Sequence, residues 1–164
     1  MTPFHFGPGA AVKAAVPRRF SLSAFVGVNL LIDSEAVYYF VTRQYPLHRF
    51  LHTYVGATLA AVAVCVLVLL FTGLVRAFGH SQKSAGAELL PMPIVVGAAL
   101  GAYSHIVLDS MMHTDIRPLA PFSDGNGLHR VITLAQLHWF CIISGIIGIA
   151  GLVAGCVYRR WSRR

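Results

Sequence analysis

Carboxylates are scarce in this chain. Only 6 of its 164 residues are Asp or Glu, and all charged side chains together make up 12%. With 56% hydrophobic residues and a mean hydropathy of +0.67, that excludes an ordinary soluble domain, whose surface needs charged cover. Cysteine is sparse too. Cys65, Cys141 and Cys156 show no CxxC spacing, and each falls inside an apolar run. They read as small buried hydrophobes rather than as a disulfide framework or a thiolate metal site. Low-complexity tracts and internal repeats are missing. So is a short N-terminal apolar run with a small-residue cleavage site, and no removal of a leader is expected.

Long apolar runs, by contrast, are plentiful. A helix needs about 20 apolar residues to cross the roughly 30 Å hydrocarbon core of a bilayer. Four windows reach that length: Phe20–Val41, Tyr54–Val75, Pro91–Met112 and Thr133–Val157. Tyr54–Val75 carries no charge. Lipid offers backbone groups no hydrogen-bond partner, so a spanning segment is a helix or part of a closed barrel. Runs this long and unalternating exclude the barrel. The expected fold is all-α: a single membrane domain over residues 1–164, built as a bundle of four transmembrane helices over 20–41, 54–75, 91–112 and 133–157.

Lys and Arg set the expected orientation. With a cytoplasmic N-terminus, nine lie inside: Lys13, Arg18, Arg19, Arg76, Lys83, Arg159, Arg160, Arg163 and Arg164. Four lie outside: Arg43, Arg49, Arg117 and Arg130. An even number of spans then returns the C-terminus to the cytoplasm. The pI of about 9.8 reflects this topology and attraction to anionic headgroups. Nucleic-acid binding is not needed to explain it.

The few polar residues inside the spans are the informative ones. A charge near the bilayer middle costs roughly 2.5–3.5 kcal/mol on insertion scales, so it faces a cavity and a partner. Asp33 and Glu35 fall in the outer half of the first span, and His48, Arg49 and His52 follow in the outer loop. His105 and Asp109 occupy the outer half of the third span, with His113 and Asp115 just past its end. His138 lies in the first turns of the fourth. Separate stretches of sequence thus bring imidazoles and carboxylates to one leaflet, whereas His80 stands alone on the other side. His105 and Asp109, four apart, share a helix face, and Asp109 and His113 repeat the step. His48 and His52 show the same interval. Asp33 and Glu35 point about 200° apart on a regular helix, so either the first helix unwinds there or the two do different work. Neutral imidazoles with carboxylates form the ligand set of zinc, iron and manganese. Plainer accounts are an ion pair of Asp33 with Arg49 or Arg117, an interhelical hydrogen bond for His105 and Asp109, and an interfacial place for His129. Tyr38, Tyr39, Tyr54 and Trp161 fit an interface belt.

At these residues the chain resembles the bacterial inner-membrane metal-dependent hydrolases, also described as LexA-binding, inner-membrane-associated hydrolases. That family has an early His, a PD-x-D element, an HRG-x-THS-like element and a G-x-x-SH-x-x-x-D segment followed by a Pro-Leu…Pro turn. The counterparts here are His5 in TPFHFGPG and LLIDSE with Asp33 and Glu35. HRFLHTY follows with His48, Arg49 and His52, and GAYSHIVLDSMMHTDIRPLAPFS with Ser104, His105, Asp109 and the Pro118–Pro121 turn. The acidic element lacks the proline and carries Glu for Asp, and the HR…H element is one residue shorter. The likeness covers residues 1–123. It implies a bacterial inner membrane and metal-dependent hydrolysis. His5, on a cytoplasmic N-terminus, would lie across the bilayer from the rest. Either the first stretch does not span fully, or His5 stays outside the site.

The expected function is metal-assisted hydrolysis at the outer leaflet, on a lipid-linked ester or phosphoester. Asp33, His52, His105 and Asp109 are the first choices as metal ligands, with His48 and His5 next, and zinc is preferred to iron or manganese. Glu35 would act as general base or as the acceptor that orients a ligand. Arg49 would neutralise a phosphate-like oxyanion. SDGNGLH, with Gly125 and Gly127, reads as a plain turn. One alternative is a non-catalytic membrane subunit whose polar cluster packs helices or docks a partner. Gly145 and Gly148 through Gly155 favour close helix packing, within the chain, in a homo-oligomer or in a larger membrane complex. Another is an ion or proton carrier using Asp33, Glu35 and Asp109.

Overall fold

The computed structural model describes residues 5–78 and 89–162. His80, Lys83, Arg163, Arg164 and the side chain of Arg76, used above for orientation, lie outside that part. The described chain is all-helical: α1 (Phe6–Ala15), α2 (Leu22–Val41), α3 (Tyr54–Ala77), α4 (Pro91–Met112) and α5 (Leu134–Trp161). The last four are long and apolar enough to cross a membrane, and they fall on the four expected windows.

Local chemistry sets their ends. Ser21 caps α2 by accepting from the Ala24 N–H. Pro91 opens α4, where a missing N–H costs nothing. Thr133 and Gln136 form a reciprocal capping box at the start of α5.

Small residues on facing surfaces bring α2, α3 and α4 together. Ala24, Val28, Ile32, Ala57, Ala60, Val64, Ala98, Ala102 and Ile106 form one buried cluster. A Cβ on Gly97 would stand 2.2 Å from the Ser21 carbonyl oxygen, and one on Gly101 2.5 Å from Val28. The Ser21 N–H donates to the Pro93 carbonyl at 3.0 Å, joining the starts of α2 and α4. Large apolar side chains instead cover the outside, including Leu67, Leu70 and Phe71 on α3 and Ile146, Ile147 and Ile149 on α5. A bundle dissolved in lipid has this distribution, because tails solvate Leu and Ile as well as a protein core does.

The sequence reading missed α1. Ten residues span about 15 Å, half the hydrocarbon core, so the segment fails a length test for crossing. It packs along α5 and runs parallel to it. Gly7 lies on Cys141 and Gly145, Ala10 and Ala11 lie on Gly148, and Ala14 lies on Gly151. The Lys13 ammonium then donates to the Pro17 and Phe20 carbonyls, closing the turn into α2. His5 therefore starts beside the polar cluster, and α1 descends from there before α2 climbs back. The two alternatives framed for His5 are both corrected: α2 keeps its full length and His5 is at the cluster. The described chain begins at the cluster end, while Lys13, Arg18 and Arg19 still sit towards the opposite one.

The glycine-rich face of α5 is thus filled from within the chain over Gly145–Gly151. A side chain at Gly148 would meet the Ala10 carbonyl carbon and Ala11 nitrogen at 2.4 Å. Gly148→Val is expected to destabilise the protein by about 1–3 kcal/mol through overpacking. Gly155→Val, where no atom lies within 4 Å, leaves the thermal unfolding midpoint in detergent unchanged.

Candidate metal centre

Four parts of the chain meet at one end of the bundle. α4 presents His105 and Asp109 on one face, and both are buried, at 0% and 2% exposure. α2 presents Asn29 and Asp33 one turn apart on the facing side. The connection between α2 and α3 brings in His48 and His52, also buried. His5 enters just ahead of α1.

Asp109 is the hub. Its Oδ1 lies 3.1 Å from His5 Nε2 and 4.0 Å from His113 Nε2. Its Oδ2 lies 3.2 Å from His105 Nε2 and 3.8 Å from His52 Nε2. Asp33 Oδ1 comes within 3.8 Å of His105 Nε2. Asp33, His52, His105 and Asp109 each offer a donor atom within 4.8 Å of the others. These four are the first-choice ligands expected from sequence.

The imidazoles are oriented from behind. His52 Nδ1 is 3.0 Å from Glu35 Oε2, and His105 Nδ1 is 2.9 Å from Asn29 Oδ1. The Asn29 amide nitrogen donates to the Phe25 carbonyl, which leaves its oxygen as acceptor towards His105. A carboxylate likewise only accepts. Both rings therefore carry their proton on Nδ1 and turn a lone pair on Nε2 into the cluster. Neither Nε2 has a hydrogen-bond partner among the described residues, and both are buried. Metal-ligating histidines are held in this way. Burial also lowers the His52 and His113 pKa from the ordinary imidazole value, against the pull of Glu35 on His52 and of Asp109 on both. Both rings stay neutral, and only a neutral ring can ligate.

α2 remains helical through Asp33 and Glu35, so the two acids do different work. Asp33 faces His105. Glu35 accepts from the Arg49 N–H, from the Leu51 N–H and from His52 Nδ1. It holds the α2–α3 connection and one histidine in place, so its carboxylate fills the orienting role rather than that of a free base. The Arg49 guanidinium stacks 3.7 Å from the Tyr39 ring centroid and donates to the Pro46 carbonyl. Those contacts, with one to Gln44, are the ones the guanidinium makes here, and none of them is to Asp33, His52, His105 or Asp109. Arg117 pairs with Asp124. Neither arginine is the partner of Asp33.

His48 lies beside the four rather than among them. Its Nδ1 is 2.8 Å from Asp115 Oδ1, and its ring centroid is 4.6 Å from that of His52. With Asp109 and His113 it makes a second group of closely spaced donors. His5 packs edge-on against His105 at 4.8 Å. His138 is half-buried near the start of α5 and belongs to neither group. The turn with Gly125 and Gly127 is tied down by the Asn126 side chain, which donates to the Ser110 carbonyl. A cavity of about 550 Å³ opens beside the cluster, with Phe40, Leu47, Met112, His48, His113 and Arg130 among its walls.

Sequence reasoning overlooked Asn29. Its place four residues before Asp33 put it on the same face of α2, and that was the available signal. His113 and Asp115 were seen as nearby but were not placed in the site. Compared with family models, curated proteins and solved structures, the chain gives no match.

Glu35→Ala strips the acceptor from two backbone N–H groups and a buried imidazole. A loss of about 1–3 kcal/mol in stability is expected, with faster proteolysis between residues 42 and 53. Arg49→Ala should leave both nearly unchanged. Thermal unfolding and limited proteolysis in detergent read these outcomes.

Proposed function

We propose that the protein is a metal-dependent hydrolase of the bacterial inner membrane that acts on a lipid-linked ester or phosphoester. One observation carries this reading. Two buried, partnerless Nε2 lone pairs, on His52 and His105, converge with Asp109 and Asp33. A divalent cation satisfies all four at once, and zinc suits the set best, with iron or manganese next. Held by those four residues, such an ion would supply Lewis acidity towards an ester oxygen and a bound water acidic enough to react near neutral pH.

The chain's own residues do the remaining work. Glu35 and Asn29 orient the imidazoles. The apolar walls of the neighbouring cavity accept a lipid tail, and Arg130 on its rim attracts an anionic headgroup. Water oxygen adds to the phosphorus or acyl carbon. The ester bond then breaks with its electron pair on the leaving oxygen, which takes the proton released by water. An alcohol and an acid result. The resemblance in motif order, from His5 through the Pro118–Pro121 turn, supports the same class of chemistry. The basic residues towards the end opposite the cluster support a cytoplasmic placement of that end and an outer-leaflet site.

A packing or docking subunit is less well supported, since α1 already occupies the glycine face of α5. A carrier is less well supported too, since Glu35 is saturated by hydrogen bonds and the acids gather at one end.

Protein purified in detergent without chelator is expected to contain zinc or another transition metal. Asp109→Ala and His105→Ala should lose the metal bound among Asp33, His52, His105 and Asp109. Elemental analysis measures this. Hydrolysis of phospholipid or lipid-phosphate substrates in mixed micelles should stop with chelator, return with metal and fall at least about 100-fold in Asp109→Ala. Metal-free wild-type protein that cannot be loaded would refute the proposal.

A further inference from the structure

We propose that the centre holds two cations, bridged by Asp109, and that the second lies at the wall of the 550 Å³ cavity. This rests on the metal reading above and extends it to nuclearity and to the position of the substrate.

The two carboxylate oxygens of Asp109 face different partners. Oδ2 faces His105 at 3.2 Å and His52 at 3.8 Å, which is the first group. Oδ1 faces His5 at 3.1 Å and, on the side of the second group, His113 at 4.0 Å. His48, Asp109 and His113 offer donor atoms within 4.8 Å of one another, and the His48 and His113 rings lie 4.3 Å apart between centroids.

The support behind His48 repeats the arrangement behind His52. Asp115 Oδ1 takes Nδ1 of His48 at 2.8 Å, while its Oδ2 accepts from the Leu47 and His48 N–H groups. With Asp115 accepting from two backbone N–H groups, its Oδ1 also accepts from His48 Nδ1, which leaves Nε2 of His48 as the metal-facing atom. A carboxylate held by two backbone N–H groups and bonded to an imidazole Nδ1 thus occurs twice, through Glu35 for His52 and through Asp115 for His48. A packing contact between rings needs no such backing. A ligand does.

The cavity separates the two groups. His48, His113 and Asp115 line it, and Asp33, His52, His105 and Asp109 do not. The first cation is therefore enclosed, and the second faces the substrate. Two ions about 3.5–4 Å apart across a shared carboxylate form the arrangement that clamps the attacking and leaving oxygens of a phosphoryl group. A phosphoester with an apolar tail is accordingly favoured over a carboxylic ester.

The test is a count of bound metal. Full-length protein in detergent is loaded with Zn²⁺, freed of excess by gel filtration and analysed for zinc per chain. The expected result is two equivalents in wild type and one in His113→Ala. His113 is 31% exposed, so its loss should not disturb folding. As a second variant, Asp115→Asn keeps the shape of the acceptor but not its charge. It should weaken the more labile equivalent about 10- to 100-fold in a competition titration. One equivalent in both wild type and His113→Ala overturns the second cation and leaves the first reading standing. Two in both overturns the assignment to His48, Asp109 and His113. None in wild type defeats the metal reading itself.

Discussion

The structure depends on burying one carboxylate within a membrane bundle. Asp109 sits at 2% exposure on a helix that carries no other charged side chain apart from the imidazole of His105. A charge at membrane depth costs roughly 2.5–3.5 kcal/mol even on the milder scales, and repayment must come from close partners. Here they are imidazoles brought from before α1, from the α2–α3 connection and from α4 itself. Because neutral imidazoles alone neutralise a carboxylate poorly, a cation of the kind proposed would complete the balance. The orphan lone pairs of His52 and His105 point the same way. Burial of the acid, the unpartnered ring nitrogens and the capacity to hold a cation are one constraint seen from three sides.

That constraint explains features of the fold that look unrelated. Asn29 is fixed by the Phe25 carbonyl so that its oxygen meets His105. Glu35 gathers the α2–α3 connection and so sets His52. The Tyr54 N–H donates to the Pro118 carbonyl at 2.9 Å, tying the start of α3 to the turn that follows α4. α1 joins α5 to the rest through a glycine face and delivers His5 to Asp109. The ties through Asn29, Glu35 and α1 each position a histidine, so the packing at this end of the bundle serves the cluster.

Much of this was legible in the sequence. Continuous apolar runs marked the four long helices to within a few residues, because a bilayer admits little else. Convergence of Asp33, His52, His105 and Asp109 followed from helix direction and the four-residue step. α1 was not legible: Phe6–Ala15 is too short to span, opens with Gly-Pro-Gly and owes its helix to contact with α5 rather than to its own propensity. Arg49 has partners that its place in the sequence did not reveal. A cation beside two histidines in sequence lies over the Tyr39 ring and donates to the Pro46 carbonyl. Asp33 and Glu35 left open a choice between an unwound helix and separate tasks. The intact α2 corresponds to the second, and that choice depends on a distant backbone segment no local pattern reveals.

The central claim is that imidazole nitrogens and carboxylate oxygens from these separate segments bind metal directly. X-ray absorption at the zinc edge of the loaded, detergent-purified protein tests it most directly. The account predicts a nitrogen and oxygen shell near 2.0–2.1 Å with the outer-shell scattering of ordered imidazoles, lost on His105→Ala together with His52→Ala. A spectrum of hydrated zinc without imidazole scattering, unchanged by those substitutions, would contradict it.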